Sequence, residues 1–454
     1  MNSIAIAINE QLAPMTPNMH AICRFSNSTI SRTSPTYLAK TLFNATTRSF
    51  STRKPTQHFD VTIVGGGAAG SLCASLLSRQ VPSLKIALLD FRTPRLGKDI
   101  LGDGKNDNGD AVVEPNARAY ALSPSSLKLL GDDVFNRLRE NGRVAIYDSM
   151  QIWESDGPAT LHFTKDDIGM GEESNEVDSK INGVLGAVIE DEPIVSCLWD
   201  ELRQNEQVEL ISPAAISQIV STPNTPDGQC PPIELTYQLK TNDETSSEYS
   251  ITTDLLVAAD GSNSQVRRSI GTFPLVTMDY ERKAVTCTVA LDNAINQIAF
   301  QRFQPNGPIA LLPIWDRKIN PSISKHYANI VWSTTPEEAK ELQDLSESEF
   351  ISRMNELLQS GPTLTPPLFS EEVKSSTPWP LAKAAYGLDM LAQSVNTGLS
   401  MSGWTERRQG FTVPPVINEV VGRRFAFDLN LMHAKKYVGP RVCLLGDGEF
   451  SEFQ

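Results

Sequence analysis

Gly65, Gly67 and Gly70 stand in G-x-G-x-x-G spacing, and Asp90 follows twenty residues after the last of them. The chemistry of this set is binding rather than bond making. Gly65 lets the chain turn sharply, Gly67 keeps side-chain atoms away from an approaching pyrophosphate, and Gly70 allows a helix to pack close to a strand. A helix that starts there aims free N–H groups and a partial positive charge at phosphate oxygens. Asp90 is placed to accept hydrogen bonds from a ribose diol. The glycine spacing alone also fits an ordinary turn in an α/β protein, so the flanking elements decide its meaning.

Those elements have the required order. Val61, Ile63 and Val64 make a short buried-strand pattern, residues 68–78 are rich in Ala and Leu as a helix would be, and residues 85–89 form a second apolar strand ending on Asp90. Two further acids close buried strands. Leu255-Leu-Val-Ala-Ala leads into Asp260-Gly261, with a helix expected near Ser264, and Arg441-Val-Cys-Leu-Leu leads into Gly446-Asp447. An acid at the carboxyl end of a strand faces the ligand crevice of an open α/β sheet. Arg267 can anchor its own loop or pair with a phosphate. Arg118 precedes Ser123-Pro124, a helix start with a capping serine and proline at the first helical position. By local sequence alone it reads as a surface or salt-bridged arginine, with a guanidinium reaching a ligand's ribityl-phosphate region as the alternative.

The rest of the chain supplies a second layer. Residues 150–153 and 161–163 flank an Asp156-Gly157-Pro158 turn and predict a hairpin, with Trp153 in the core. Residues 183–189 predict a strand and 193–204 an amphipathic helix with acids at its start. Residues 221–232 read as a turn-rich tip between two strands. Strand patterns cover 283–291, 298–303, 307–315 and 328–334, plausible walls of a substrate chamber. An amphipathic helix is expected from Pro336, with Leu342, Leu345, Phe350, Met354 and Leu357 on its apolar side. Residues 97–110 read as a polar surface insertion, 360–415 as irregular, and 421–432 as the return to the first domain.

Composition narrows the class. The 454 residues suffice for two domains, and no run of eighteen apolar residues predicts a membrane-spanning helix. The six cysteines form no C-x-x-C, and the five histidines lack metal-ligand spacing, so no metal is expected. The first 58 residues hold six Lys/Arg and one acid, Glu10, in a chain of formal charge −14. The remainder is therefore more acidic still, which argues against nucleic-acid binding. The basic, Ser/Thr/Asn-rich leader ends near Arg48-Ser-Phe-Ser51 and reads as a mitochondrial transit peptide, with a chloroplast leader or a plain tail as alternatives.

Together the three motifs resemble flavin-dependent aromatic hydroxylases with the para-hydroxybenzoate hydroxylase fold. Residues 118–124, 307–313, 330–336 and 437–442 are similar more closely to the mitochondrial ubiquinone-biosynthesis monooxygenases. The resemblance runs from about 58 to 447. It implies an α/β fold: a Rossmann-like FAD-binding domain interleaved with an antiparallel-sheet substrate domain. The expected segments are a transit peptide at 1–55, FAD-binding parts at 58–145, 184–275 and 435–454, and substrate-domain parts at 146–183 and 276–434. FAD is the implied cofactor, with Gly65, Gly67, Gly70 and Asp90 holding its ADP half. Arg118, Asp260, Gly261, Gly446 and Asp447 would hold its middle and ribityl portion.

The implied reaction adds oxygen from O2 at ring carbon 5 of a polyprenylated hydroxybenzoate. It would take place peripherally at the matrix face of the inner membrane, beside other ubiquinone-biosynthesis proteins. Ferredoxin and its reductase are the implied electron source. Because the cofactor carries the reaction, no catalytic acid, base or nucleophile is assigned. The family continues Gly-Asp with Ala-Ala-His and a glycine-rich loop, whereas here Gly448-Glu-Phe follows; the helix near 190 opens Glu190-Asp191 where the family has Glu-Asn. The first departure leaves an intact-family enzyme, a shortened form acting only as a binding partner, and a superfamily member with another aromatic or isoprenoid substrate as alternatives.

Overall fold

The computed structural model describes residues 57–101, 114–168, 183–221, 230–240, 247–321, 323–362, 411–446 and 450–451. The leader, Asp447 and most of 360–415 lie outside the described residues.

The first sheet has eight strands. Its parallel core runs Val442–Leu444, Glu248–Ala258, Gln57–Val64, Ile86–Leu89, Val208–Ile211. The central strand Gln57–Val64 is buried over its second half, as expected of a parallel strand with both faces of its sheet covered. Helices Ala68–Gln80 and Asp191–Arg203 pack on that face around Leu72, Leu76, Leu198 and Trp199. The other face packs Phe59, Leu235, Leu256 and Val266 under an antiparallel extension, Ala214–Val220 and Ile233–Leu239.

A second eight-stranded sheet is antiparallel except where Ile298–Gln304 runs parallel to Ser149–Glu154. Its spine is the pair Leu275–Leu291 and Ile417–Ala434. Residues 421–432, expected to lead back to the first domain, are thus part of an eighteen-residue strand of this sheet, and the chain re-enters the first sheet only at Val438. The expected hairpin of 150–153 and 161–163 forms, and Trp153 is 1% exposed. A small sheet of Ala119–Leu122, Gly186–Glu190 and Ala145–Tyr147 sits between the two large ones in sequence.

Two expectations are corrected. The single helix from Pro336 is two, Pro336–Asp344 and Glu347–Gln359. Ser346 stops the first and starts the second through a capping box with Glu349, whose reciprocal bonds satisfy the new N-terminus. Leu358 is the fully buried leucine of its last turn, and Leu357 packs partly buried against the same core as expected. The stretch from Gly97 is not all polar loop: Gly97–Leu101 is a short helix that buries Ile100 and Leu101 against the helix Asp191–Arg203.

Candidate functional site

The site grows from the carboxyl end of the parallel strands. Ala259 N–H donates to the Val64 carbonyl (2.7 Å) and Leu445 N–H to the Ala258 carbonyl (2.8 Å), so three strand ends lie side by side. Gly65 has φ +104°, and a Cβ there would stand 2.2 Å from the Ala259 carbonyl oxygen. A Cβ on Gly70 would stand 1.8 Å from the Gly65 carbonyl oxygen. These two glycines are required by close backbone approach. Gly67 differs: its φ is −71° and a Cβ would meet nothing within 4 Å. The space over Gly67 is therefore open to a ligand.

Gly67 also caps the helix Ala68–Gln80 without a side-chain hydrogen bond, and no acid stands in its first turn. The helix end keeps its donors and its partial positive charge for an anion. Asp90 binds this turn directly. Its carboxylate accepts from Gly66 N–H (2.6 Å) and Arg92 N–H (2.7 Å). Each oxygen retains a lone pair for a further donor.

Asp260 accepts with Oδ2 from Gln265 N–H (2.6 Å) and Val266 N–H (3.1 Å), capping the short helix Gln265–Ile270. Its Oδ1 is buried with no partner among the described residues. Gly261 takes φ +80° to carry the turn. Arg267 donates to the Ser262 carbonyl (2.7 Å), which anchors its own loop. Gly446, at φ +68°, would bring a Cβ to 3.2 Å from Ala69 Cβ, so it abuts the first turn of the glycine helix. Asp447 lies outside the described residues.

A cavity of about 840 Å³ opens from this turn, within the usual range for organic ligands. Gly66, Gly67, Asp90 and Arg118 line one side; Thr286, Asn329, Val331, Phe425 and Phe427 of the second large sheet line the other. Asp260, Gly261 and Gly446 border the same turn but are not among the lining residues. Arg118 reaches the cavity and is also salt-bridged, so both of its sequence readings hold. Its Nε is 3.7 Å from Asp191, and its Nη2 donates to the Tyr120 hydroxyl, which in turn donates to Asp191 (2.7 Å). Burial, then the Asp191 charge, pushes the Tyr120 phenol well above its ordinary range, with Arg118 opposing.

Trp199, Trp315 and Arg143, which pack behind the site, carry no sequence signal. A Cβ on Gly66 would lie 2.4 Å from the Trp199 ring, and Trp199 Nε1 donates to the Gly66 carbonyl (2.8 Å). Glu190, 3% exposed, accepts from Asn116 N–H (2.6 Å), from Trp315 Nε1 and from Arg143. The Arg143 guanidinium stacks on Trp315 at 3.8 Å. Burial pushes the Glu190 carboxyl above the usual carboxylate range, against the pull of Arg143, Trp315 and the Asn116 amide.

No protein-family model matches the chain. The mitochondrial ubiquinone biosynthesis monooxygenase of Drosophila melanogaster is 28% identical over 398 residues, covering 86% of this chain and 69% of the relative. That of Dictyostelium discoideum is 24% identical over 441 residues, covering 93% and 78%. Over most of its length the chain is thus similar to the ubiquinone-biosynthesis monooxygenases. Among solved structures, a probable FAD-dependent monooxygenase, pqsL, from Pseudomonas aeruginosa superposes with a TM-score of 0.52 at 16% identity, covering 87% of this chain and 79% of that one. The p-nitrophenol 4-monooxygenase of Pseudomonas putida gives 0.51 at 14%, covering 87% and 74%. Aklavinone-11 hydroxylase, solved with FAD and aklavinone, gives 0.51 at 14%, covering 87% and 58%. The expected fold class and the resemblance to these flavin monooxygenases are borne out.

The residues present fit FAD. The turn has glycine where backbones touch, open space over Gly67, an uncapped helix end for phosphates, and an orphaned carboxylate oxygen on Asp260 for a hydroxyl donor.

Proposed function

We propose that this chain is an FAD-dependent monooxygenase that hydroxylates ring carbon 5 of a polyprenylated hydroxybenzoate in ubiquinone biosynthesis. The observation that carries the reading is the shared cavity: a dinucleotide cradle and an aromatic-faced sheet wall open onto one space. The homologues named as mitochondrial ubiquinone-biosynthesis enzymes support the substrate class and a mitochondrial site of action. We place the protein peripherally at the matrix face of the inner membrane, among other proteins of that pathway and with ferredoxin and its reductase as electron source. No helix among the described residues is long and apolar enough to cross a membrane.

Bound FAD supplies the activation of O2 and the transfer of one oxygen atom to an electron-rich ring. The chain's residues do the rest. The Gly65–Gly67 turn and the helix end behind it hold the pyrophosphate, and Asp90 holds the adenosine ribose. Arg118, Asp260, Gly261, Gly446 and Asp447 hold the middle of the cofactor. Phe425, Phe427 and Val331 give the opposite wall an apolar face that sheds water and stacks on a ring. Arg118, fixed by Asp191 and Tyr120, keeps a positive charge at the cavity for anionic groups.

The test is a reaction in 18O2 with FAD, ferredoxin, ferredoxin reductase and a short-chain prenyl hydroxybenzoate. A product heavier by one labelled oxygen at carbon 5 is expected. Flavin oxidation without labelled product would refute this substrate.

A further inference from the structure

The segment Asn116–Arg118 lines the cavity between its two sides, and its backbone is held from both. On one side, Asn116 N–H donates to Glu190 and Asp191 N–H donates to the Arg118 carbonyl (3.0 Å), while Asn116 Oδ1 accepts from Arg118 N–H (3.1 Å). On the other, the Ala117 carbonyl accepts from Asn329 Nδ2 at 3.0 Å. Thr286 Oγ1 stands 3.3 Å from the same carbonyl and 3.4 Å from Asn329 Oδ1, so its one proton serves either. Asn329 is 2% exposed, between the apolar residues Ala328 and Ile330 of the strand His326–Thr334. A buried amide in such a strand is costly unless its donors are used. Here they go to Ala117 and, at 3.4 Å, to the Cys287 carbonyl.

We propose that Asn329 is a positioning residue that ties the substrate-facing sheet to the Arg118 segment, so that the two walls of the cavity keep one fixed spacing. The proposal rests on the FAD-monooxygenase reading. A bond from a strand of the second sheet to the loop that carries Arg118 fixes that guanidinium relative to Val331, Phe425 and Phe427. Asn329→Asp preserves shape but replaces the donor with an acceptor facing the Ala117 carbonyl, so the link becomes a repulsion. Arg118 then loses its registry with the cofactor even though the strand remains folded.

The experiment uses the full chain and compares wild type, Asn329→Asp, Asn329→Leu and Ile330→Val. Ile330 is the next residue on the strand and packs on the opposite face, so it reports core loss alone. Four quantities are read: melting temperature, the dissociation constant for FAD, the visible circular dichroism of bound flavin, and KM against kcat. Both Asn329 variants are expected to weaken FAD at least tenfold and to change the flavin dichroism, while Ile330→Val lowers the melting temperature and leaves FAD affinity and dichroism at wild-type values. Wild-type flavin dichroism and affinity in Asn329→Asp overturn the proposal. So does an Ile330→Val that weakens FAD as much for an equal fall in melting temperature. A wild-type chain that binds no FAD sinks the functional reading instead, which keeps the two failures apart.

Discussion

Replacing Gly67 with alanine separates ligand binding from folding more cleanly than any other change in the site. The added methyl meets nothing within 4 Å, and φ −71° suits alanine, so no protein atom must move. Gly67 is a helix N-cap, where alanine is poorer than glycine by about 1 kcal/mol. That is the whole expected loss of stability. If a pyrophosphate lies on the Gly67 backbone, the same methyl enters its space. Overpacking of one carbon costs about 1–3 kcal/mol, which is a loss of roughly 5- to 150-fold in FAD affinity. Gly70→Ala should behave in the opposite way. It gains about 1 kcal/mol in helix propensity, but its Cβ would fall 1.8 Å from a backbone oxygen, so the helix must move and stability drops. Urea unfolding of the apoprotein and fluorescence titration with FAD read the two effects separately. Wild-type FAD affinity in Gly67→Ala would refute the assignment of that open space to the pyrophosphate. Equal loss of stability in both variants would refute the geometry itself.

Other consequences follow from single contacts. Asp90→Ala removes the acceptor of two backbone amides that shape the turn and should cost about 1.5–3 kcal/mol of stability, with weaker FAD binding in the same titration. Ser346→Ala removes the cap that starts the helix Glu347–Gln359 and should cost about 1 kcal/mol in urea unfolding, with the FAD site untouched. Burial raises the folded Glu190 pKa above its unfolded value, so the native state holds the extra proton; stability therefore falls as pH rises through the interval between the two values, and Glu190→Gln should flatten that slope in unfolding measured against pH. Burial pushes the thiols of Cys73, Cys197 and Cys287 up to about 12, so native protein should resist iodoacetamide at these three, whereas unfolded protein should react at all of them by mass spectrometry.

What could be read from the chain was local. The strand, glycine turn and helix around Gly65 to Gly70 announce themselves because each residue's task depends on neighbours a few positions away. The ends at Ala259 and Gly446 were legible for the same reason, as apolar runs closing on small residues. The contacts that complete the site are of another kind. Trp199 reaches the Gly66 carbonyl across 133 residues, and Asn329 reaches Ala117 across 212. No periodicity marks either, since a tryptophan in an amphipathic helix and a lone asparagine in a strand look like packing and noise. The break between the two helices after Pro336 was hidden differently. The apolar positions keep helical spacing through Leu345, while the Ser346-x-x-Glu349 capping pair that ends the run is short and polar. The helix Gly97–Leu101 was masked by the polar residues that follow it. Gly66, lying between two motif glycines, is needed because Asp90 and Trp199 press on it, and only the folded packing reveals that pressure.

The most direct measurement is a crystal structure of the full chain grown with FAD. The expected result is one FAD per chain, its pyrophosphate over Gly67 and the N-terminus of Ala68–Gln80, its adenosine ribose on Asp90, and its ring system in the cavity between Arg118 and the Phe425–Phe427 wall. FAD bound elsewhere, or a cavity that stays empty of flavin at saturating FAD, would contradict the assignment of these strand ends to a single dinucleotide.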